Sequence, residues 1–341
     1  MYKLLFIGFG NVGQALAQLL IEKEGILASK HGFRFEAVGI VDMLKGSVIN
    51  DGGIDLSKAL DMVSNGTSLN EYPEGETGLD AIPAVQKIQA DILLEATYTD
   101  IKTGEPAASH IREAFKKGMH VVTTNKGPVA LHYSELKSMA EEKGVQFLFE
   151  GTVMSGTPML NLIRETMAGS EIKSVQGILN GTTNYILTKM EEGMSYETAL
   201  KQAQDLGYAE AVPDADVEGW DALAKATILA NVIFGVPLKP GDIPCEGITK
   251  LTPSHIEKAK NENKRYKLLA HVKREGDEII AGVSPEKIDI MHPLASVSGA
   301  TNALTITTDM LGNVTIVGPG AGRRETGYSM LIDLLTIGGR K

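Results

Sequence analysis

The chain has 341 residues, 43% of them hydrophobic and 22% charged, and its formal net charge is −10. This length exceeds what one hydrophobic core usually supports, so we expect two packed domains. The acidic excess, without any run of Lys or Arg, excludes the basic surface that nucleic acid requires. No run of about 20 apolar residues is present, so we expect no membrane span.

Cysteine usage and the first 20 residues both bear on the compartment. Cys245 is the single cysteine, which excludes an internal disulfide and a cysteine-clustered zinc site and fits a reducing compartment. Three glycines interrupt the apolar start of the chain, and no small-residue cleavage pattern follows, so this stretch does not read as a signal peptide. We expect a cytoplasmic protein.

Strands and helices alternate over the first 150 residues, which predicts an α/β fold with a doubly wound parallel sheet. A buried strand at residues 3–7 precedes a glycine turn and a helical pattern at residues 12–20. Further strands are predicted at residues 35–41, 91–94 and 120–123, and helices at residues 105–117 and 133–143. Residues 43–80 are polar and glycine-rich, and we interpret them as a peripheral excursion with one helix at residues 56–63.

The pattern changes near residue 150, where we expect a second domain of α+β type. Its predicted elements are a strand at residues 175–179, helices at residues 182–190, 196–206 and 220–234, and a hairpin of residues 303–308 and 314–317 turning at Gly312-Asn313. A last helix is predicted at residues 328–335. We therefore expect a dinucleotide-binding domain at residues 1–149, with residues 322–341 packing back on it, and a catalytic and dimerisation domain at residues 150–321.

The segment Gly8-Phe9-Gly10-Asn11-Val12-Gly13 fits G-x-G-x-x-G between a strand and a helix. The glycines permit a tight turn and a close backbone approach, so a pyrophosphate can sit on the helix N-terminus. A glycine turn can also serve packing alone. Its place after the first strand of a doubly wound pattern favours dinucleotide binding.

Asp42 ends the second predicted strand, where a carboxylate can accept hydrogen bonds from the adenosine ribose and favours NAD. The interval from Gly13 to Asp42 is longer than the usual spacing of about 20 residues, with residues 22–32 as the apparent insertion. The alternative is a solvated loop aspartate. Lys45 lies close enough in sequence to meet a 2′-phosphate, so both NAD and NADP remain candidate cofactors.

Two charged residues, Asp221 and Lys225, lie four apart on a predicted helix that is apolar on nearly every face. Burying charges is costly unless they are paired, and a structural pair is often no better than apolar residues. A functional role is therefore favoured over a structural ion pair. Lys126 follows a predicted strand at the edge where α/β sheets bind ligands. Together the three suit proton transfer at an alcohol oxygen.

Several segments, in order over nearly the whole chain, together resemble the homoserine dehydrogenase family. The segment at residues 177–187, which includes Asn180-Gly181-Thr182-Thr183-Asn184, is the most specific of them. The others, besides the glycine turn, are Thr124-Asn125-Lys126, Glu150-Gly151-Thr152-Val153 with Gly156 and Pro158, residues 206–210, Asp214, Asp216, Gly219, Asp221, Lys225, and Gly318-Pro319-Gly320-Ala321-Gly322.

This resemblance implies interconversion of L-homoserine and L-aspartate 4-semialdehyde with NAD or NADP, on the route to threonine and methionine. It implies that Lys225 carries the proton of the substrate oxygen and that Lys126 polarises the same region. Substrate-binding residues would be Glu210, Asp216, Asp221 and Lys126. Cofactor-binding residues would be Gly8, Phe9, Gly10, Asn11, Val12, Gly13, Asp42, Thr97, Lys126, Gly207 and Gly322.

The resemblance also implies a monovalent cation, sodium or potassium, at Glu150, Val153, Ser155 and Thr157, and a homodimer. Two departures from the family pattern stand out. Ala211-Val212-Pro213 replaces a shorter or more acidic loop, and the chain ends within about 20 residues of Gly322. We therefore expect no regulatory domain or fused kinase.

Two other functions were weighed. Aspartate-semialdehyde dehydrogenase chemistry needs a thiolate nucleophile, and Cys245 stands in a loop without a neighbouring histidine. A dinucleotide-sensing module would use the same glycine turn without catalysis, and it would have no need of Lys126, Asp221 and Lys225 together. Oxidation of a reduced nicotinamide that depends on the semialdehyde separates these functions.

Overall fold

The computed structural model describes residues 1–339, which form two compact units. The first unit consists of Met1–Gly156 together with the chain from Gly322 onward, and the second of Thr157–Ala321. Arg340 and Lys341, with which the expected C-terminal segment ends, lie outside the described residues. No described helix is both long and apolar enough to cross a membrane.

The first unit contains a seven-stranded sheet in the order β4-β3-β2-β1-β5-β6-β7. Its strands are β1 (Tyr2–Ile7), β2 (Phe35–Asp42), β3 (Gly46–Ile49), β4 (Glu76–Thr77), β5 (Ile92–Glu95), β6 (His120–Thr123) and β7 (Phe147–Leu148). The five strands from β2 to β7 in this order are parallel, which confirms the predicted doubly wound sheet. The strand order reverses direction between β1 and β5, and ligands of such sheets bind at this point.

Helices cover both faces of this sheet because alternate residues of β1 point to opposite sides. Leu4 and Phe6 join a core with α1 and α13, whereas Leu5 and Ile7 join one with α3, α4 and α5. In chain order the helices of this unit are α1 (Asn11–His31), α2 (Leu56–Ser64), α3 (Ala81–Lys87), α4 (Ala107–Lys116), α5 (Lys126–Lys143), α6 (Gly151–Met154) and, at its end, α13 (Arg323–Ile337).

Three features of the first unit differ from the sequence prediction. The polar excursion contributes β3 and β4, which extend the sheet in antiparallel fashion. Helix α1 continues to His31 and ends at Gly32, whose φ is +62°, so a longer helix accounts for the wide spacing before Asp42. Helix α5 begins at Lys126 because Asn125 caps it, its side chain accepting from Gly127 N.

The second unit contains a five-stranded antiparallel sheet in the order β10-β9-β8-β11-β12. Its strands are β8 (Ile172–Ile178), β9 (Lys264–Glu275), β10 (Glu278–Asp289), β11 (Thr301–Thr308) and β12 (Gly312–Pro319). Its helices are α7 (Met159–Thr166), α8 (Gly181–Glu191), α9 (Tyr196–Asp205), α10 (Asp214–Val217), α11 (Trp220–Ile233) and α12 (Pro253–Asn261). Ile178, Leu269 and Leu294 lie in its apolar core.

The C-terminal hairpin turns at a different place from the one predicted. Gly312 and Asn313 already belong to β12, where they pair with Thr308 and Thr307. The turn therefore consists of residues 309–311. The longest hairpin of the unit, β9 with β10, was not predicted, because its alternation of polar and apolar residues is incomplete and pairing between distant segments decides it.

Candidate active site

The glycine turn after β1 packs too closely for side chains. A Cβ on Gly8, whose φ is +94°, would lie 2.5 Å from the carbonyl of Ala96, and a Cβ on Gly13 would collide with the Gly8 oxygen. A Cβ on Gly10 would meet no described atom within 4 Å. Gly10 also precedes α1 without a side-chain cap. The first N–H groups of α1, which starts at Asn11, are thus suited to hydrogen-bond a phosphate.

Asp42 is connected to this turn. Its Oδ2 accepts from the backbone N of Phe9 at 2.8 Å, and its Oδ1 accepts from the backbone N of Leu44 at 2.9 Å and of Lys45 at 3.0 Å. Phe9 is buried beneath the turn. The carboxylate therefore lies beside the phosphate-binding loop at the end of β2, where a ribose hydroxyl is bound in dinucleotide folds.

Thr97 and Lys126 follow the next two parallel strands, β5 and β6, at the same edge of the sheet. Asn125 connects the two loops, since its Nδ2 donates to the carbonyl of Tyr98 at 2.8 Å and to that of Thr97 at 3.3 Å. Lys126 is the first residue of α5. Cofactor-binding and substrate-binding candidates from the first unit thus meet at the edge where ligands bind.

A compact charged cluster occupies the second unit. Lys225 is 7% exposed, and its Nζ donates to Asp221 Oδ2 at 2.7 Å and to the carbonyl of Leu179 at 2.6 Å. Asp216 lies on α10. Burial raises the pKa of Asp216, and the nearby Asp221 charge adds to the rise, while the hydrogen bond from Asn180 opposes it. Two carboxylates and one ammonium are thereby concentrated at one place.

Asn180 organises this cluster, although the sequence did not single it out as a site residue. Its Nδ2 donates to Asp216 Oδ1 at 2.6 Å and to Asp221 Oδ2 at 3.0 Å, and its Oδ1 accepts from Thr183 N at 2.9 Å. The available signal was an asparagine immediately before a helix, since this is a favoured N-cap residue. One side chain thus caps α8 and holds both aspartates.

Gly207 and Glu210 lie in the loop that follows α9. Gly207 has a φ of +75°, a backbone conformation that favours glycine. The loop is held by Thr182, whose Oγ1 donates to the carbonyl of Tyr208 at 2.6 Å, and by Gln204, whose Nε2 donates to the carbonyl of Glu210 at 3.1 Å. The Glu210 side chain is exposed. It is therefore accessible to a ligand.

The candidate cation ligands lie around α6, and they offer only oxygen: a carboxylate, hydroxyls and backbone carbonyls. Glu150 is buried, and its backbone N donates to Asp333 Oδ2 at 2.9 Å. Ser155 ends α6 with an unusual φ of +51°. Val153 is buried in the helix and Thr157 begins the second unit. Such ligands fit a hard cation in chemistry. No cluster of three or more His, Cys, Asp or Glu suited to a metal occurs in the described residues.

Two further residues complete the survey. Gly322 precedes α13 with a φ of +137°, and a Cβ there would collide with the Glu325 carboxylate. Cys245 is half-buried, its Sγ lies 3.5 Å from the carbonyl of Glu218, and burial raises the pKa of its thiol. A raised pKa disfavours the thiolate that aspartate-semialdehyde dehydrogenase chemistry requires.

Comparison with known proteins gives a consistent result. Residues 8–150 match the family profile "Homoserine dehydrogenase, NAD binding domain", and residues 158–335 match "Homoserine dehydrogenase". The chain is 45% identical to an NAD(+)-dependent homoserine dehydrogenase of Pseudomonas canavaninivorans over 98% of this chain and 96% of that protein. It is 42% identical to a homoserine dehydrogenase of Methanocaldococcus jannaschii over 98% of both.

A solved structure of a hyperthermophilic archaeal homoserine dehydrogenase in complex with NADPH superimposes with a TM-score of 0.83 at 31% identity, over 98% of this chain and 97% of that one. The glycine turn on a doubly wound sheet, together with a buried lysine and aspartates in a second unit, defines an NAD(P)-dependent oxidoreductase. The chain belongs to the homoserine dehydrogenase family, the oxidoreductases of the aspartate pathway.

Proposed function

We propose that this chain interconverts L-homoserine and L-aspartate 4-semialdehyde, with Lys225 as the group that takes and returns the hydroxyl proton. The observation that carries this proposal is the Lys225–Asp221 pair, buried on a helix whose other buried residues are mostly apolar. An isolated buried ion pair contributes little to stability. A positioned proton donor and acceptor, by contrast, contributes about 10² to 10⁴ in rate.

Proton transfer and the redox step must occur together at the alcohol. The nicotinamide, when bound, supplies the acceptor for the hydride that leaves the alcohol carbon. Lys225 in its neutral form removes the hydroxyl proton, and its ammonium form returns the proton in the reverse direction. The hydrogen bonds to Leu179 O and Asp221 Oδ2 fix the direction of Nζ and leave one of its three donor positions for the substrate oxygen.

Substrate binding is proposed for the carboxylates around Lys225 and for Lys126. Homoserine carries an ammonium group, and the exposed Glu210 suits it by charge. Asp216 and Asp221, both held by Asn180, supply further acceptors for the substrate. Lys126 at the start of α5 contributes positive charge that polarises the reacting oxygen. These roles follow the family resemblance at the matching positions.

For the cofactor we propose NAD as the preferred dinucleotide, with NADP also usable. The carboxylate of Asp42 accepts ribose hydroxyls and repels a 2′-phosphate, and the Pseudomonas relative is NAD(+)-dependent by its description. Residues 1–149, with the C-terminal helix, form the dinucleotide-binding domain in this proposal, and residues 150–321 form the catalytic and dimerisation domain. Gly8–Gly13 and Thr97 contact the cofactor, and Gly207 and Gly322 approach its nicotinamide end.

Three further properties are proposed from the family. A sodium or potassium ion binds the oxygens of Glu150, Val153, Ser155 and Thr157 and organises the turn around α6. The enzyme is a cytoplasmic homodimer, joined through the extended strands of the second unit. Sedimentation of the purified protein at micromolar concentration tests the dimer directly, because a single species of monomer mass excludes it.

The function is tested by turnover with purified protein. We expect L-homoserine to reduce NAD⁺, and L-aspartate 4-semialdehyde to oxidise NADH in the reverse direction. A dinucleotide-sensing module would bind NADH, as seen by a change in its fluorescence, without turnover in either direction. Reduction of NAD⁺ by the semialdehyde with phosphate would instead indicate an aspartate-semialdehyde dehydrogenase, and both outcomes would overturn the proposal.

A further inference from the structure

A buried carboxylate occupies the edge of the sheet where the cofactor and Lys126 are proposed to act. Glu95 is the last residue of β5, and its side chain is 0% exposed. Taking a carboxylate out of water is costly unless hydrogen bonds or opposite charge compensate it. The proposed mechanism assigns this residue no role. Its partners therefore indicate what the burial achieves.

The two oxygens of Glu95 bind two different loops. Oε1 accepts from the backbone N of Thr97 at 3.2 Å and also from the Thr97 hydroxyl. Oε2 accepts from Thr123 Oγ1 at 3.1 Å. His110 on α4 places its Nδ1 3.6 Å from Oε1, close enough to provide opposite charge when protonated. One carboxylate thus joins the loop after β5 to the end of β6.

The second of these contacts continues to the start of α5. The Oγ1 atom of Thr123, which donates to Glu95, accepts from the backbone N of Asn125 at 3.0 Å. Asn125 in turn caps α5 through Gly127 N at 3.1 Å, and Lys126 is the first residue of that helix. A change at Glu95 is therefore transmitted to the backbone that carries Lys126.

We propose that Glu95 is a positioning residue with two separable functions: its Oε1 side holds Thr97 for the cofactor, and its Oε2 side holds Lys126 for the substrate through Thr123 and Asn125. The second function rests on the role proposed above for Lys126. A mere structural clamp would affect stability alone. A positioning residue affects affinity for the cofactor and turnover through different neighbours.

Three substitutions separate the two functions. Thr123→Val removes the Oε2 contact at nearly constant volume, and we expect kcat to fall and KM for homoserine to rise, with Kd for NADH within twofold of wild type. Thr97→Val removes the Oε1 hydroxyl contact, and the loss should appear mainly in Kd for NADH. Glu95→Gln weakens both, with kcat/KM reduced about tenfold to hundredfold, as expected for lost hydrogen bonds to a charged group.

Two comparisons make the result specific. Asp91 lies just before the same strand at its opposite end and accepts from Lys3 N at 2.7 Å, so Asp91→Asn is a matched control that should leave all three kinetic parameters unchanged. In a double-mutant cycle, adding Thr123→Val to Glu95→Gln should lower kcat less than Thr123→Val lowers it alone, because both changes interrupt one path.

The proposal is overturned if Glu95→Gln and Thr123→Val lower the melting temperature but leave kcat and both affinities within twofold of wild type. It is also overturned if the Thr97 and Thr123 variants show the same pattern of losses. Should Glu95→Gln fail to fold, the two threonine variants still decide between these outcomes. Absence of homoserine turnover in the wild type would count against the proposed function instead, and Kd for NADH would still test the Oε1 side.

Discussion

Lys225 and Asp221 form an ion pair of 2.7 Å within α11, one turn apart and almost closed off from water. The chain offers a natural comparison in Lys201 and Asp205 on α9, which have the same spacing and the same 2.7 Å distance but are exposed. An exposed pair of this kind contributes only about 0.3 to 0.5 kcal/mol. The buried pair therefore differs in environment and not in geometry.

Cofactor preference should respond to Asp42. Asp42→Asn removes the charge but keeps an oxygen for the backbone N–H groups of Phe9, Leu44 and Lys45. We expect the affinity for NAD to fall and that for NADP to rise or stay constant, because only NADP carries the 2′-phosphate that the carboxylate repels. Fluorescence titration with NADH and NADPH measures both affinities. Equal losses for the two cofactors would remove Asp42 from the ribose site.

The proposed cation should affect stability as well as rate. If oxygens of Glu150 and its neighbours bind sodium or potassium, replacing either salt by the chloride of a bulky organic cation at equal ionic strength should lower the melting temperature and the activity. Binding to the native state alone stabilises it by mass action. A melting temperature and kcat that do not change across the three salts would contradict the cation site.

Asp216 should show a cost of burial that depends on pH. Its folded pKa is raised above its ordinary value, so the native state binds this proton more tightly than the unfolded state does, and stability falls as pH rises through the interval above about 3.8. Asp216→Asn removes this loss. We expect the variant to gain stability relative to wild type between acid and neutral pH, and to raise KM for homoserine. Urea unfolding at several pH values measures the gain, with the exposed Asp205→Asn as control.

Lys267 should produce the opposite slope at alkaline pH. It is 0% exposed, and burial lowers its pKa to about 8. Its Nζ donates to Asn184 Oδ1 at 3.1 Å and to Val297 O at 2.7 Å, two bonds that a neutral amine can also make. Between pH 8 and about 10.5 the unfolded chain holds a proton that the native chain lacks, so stability rises with pH by up to about 3 kcal/mol.

The substitution Lys267→Met tests this rise. The difference in unfolding free energy between wild type and variant should shift in favour of wild type as pH increases from 8 to 10.5. A difference that stays constant over this interval would mean that the pKa of Lys267 is not lowered in the native state. Lys201→Met, at an exposed lysine, controls for general effects of removing one positive charge.

Local sequence patterns predicted those parts of the molecule whose physics is local. The glycine turn after β1 and the apolar helix with Asp221 and Lys225 could be read because spacing along one element determines them. The hydrogen bonds of Asn180 to Asp216 and Asp221 join residues 36 and 41 positions apart, and no periodicity encodes them. The same holds for Glu95, whose partner Thr123 comes from the neighbouring strand.

The edge strands show the same limit. β3 and β4 lie in a polar, glycine-rich stretch, and they become strands by pairing with β2 and with each other. Strand propensity depends strongly on such context. The turn of the C-terminal hairpin was misplaced because Gly312-Asn313 is a strong turn signal that lies at the first two positions of β12.

The most direct test of the account is turnover by Lys225→Met beside its exposed counterpart Lys201→Met. If Lys225 carries the proton, kcat for homoserine oxidation should fall about 10²-fold to 10⁴-fold, while Kd for NADH stays within twofold because the glycine turn lies in the other unit. Lys201→Met should behave as wild type in both. A Lys225→Met protein that unfolds under assay conditions, or that turns over within a few-fold of wild type, would show that the buried pair is structural and would contradict the proposed mechanism.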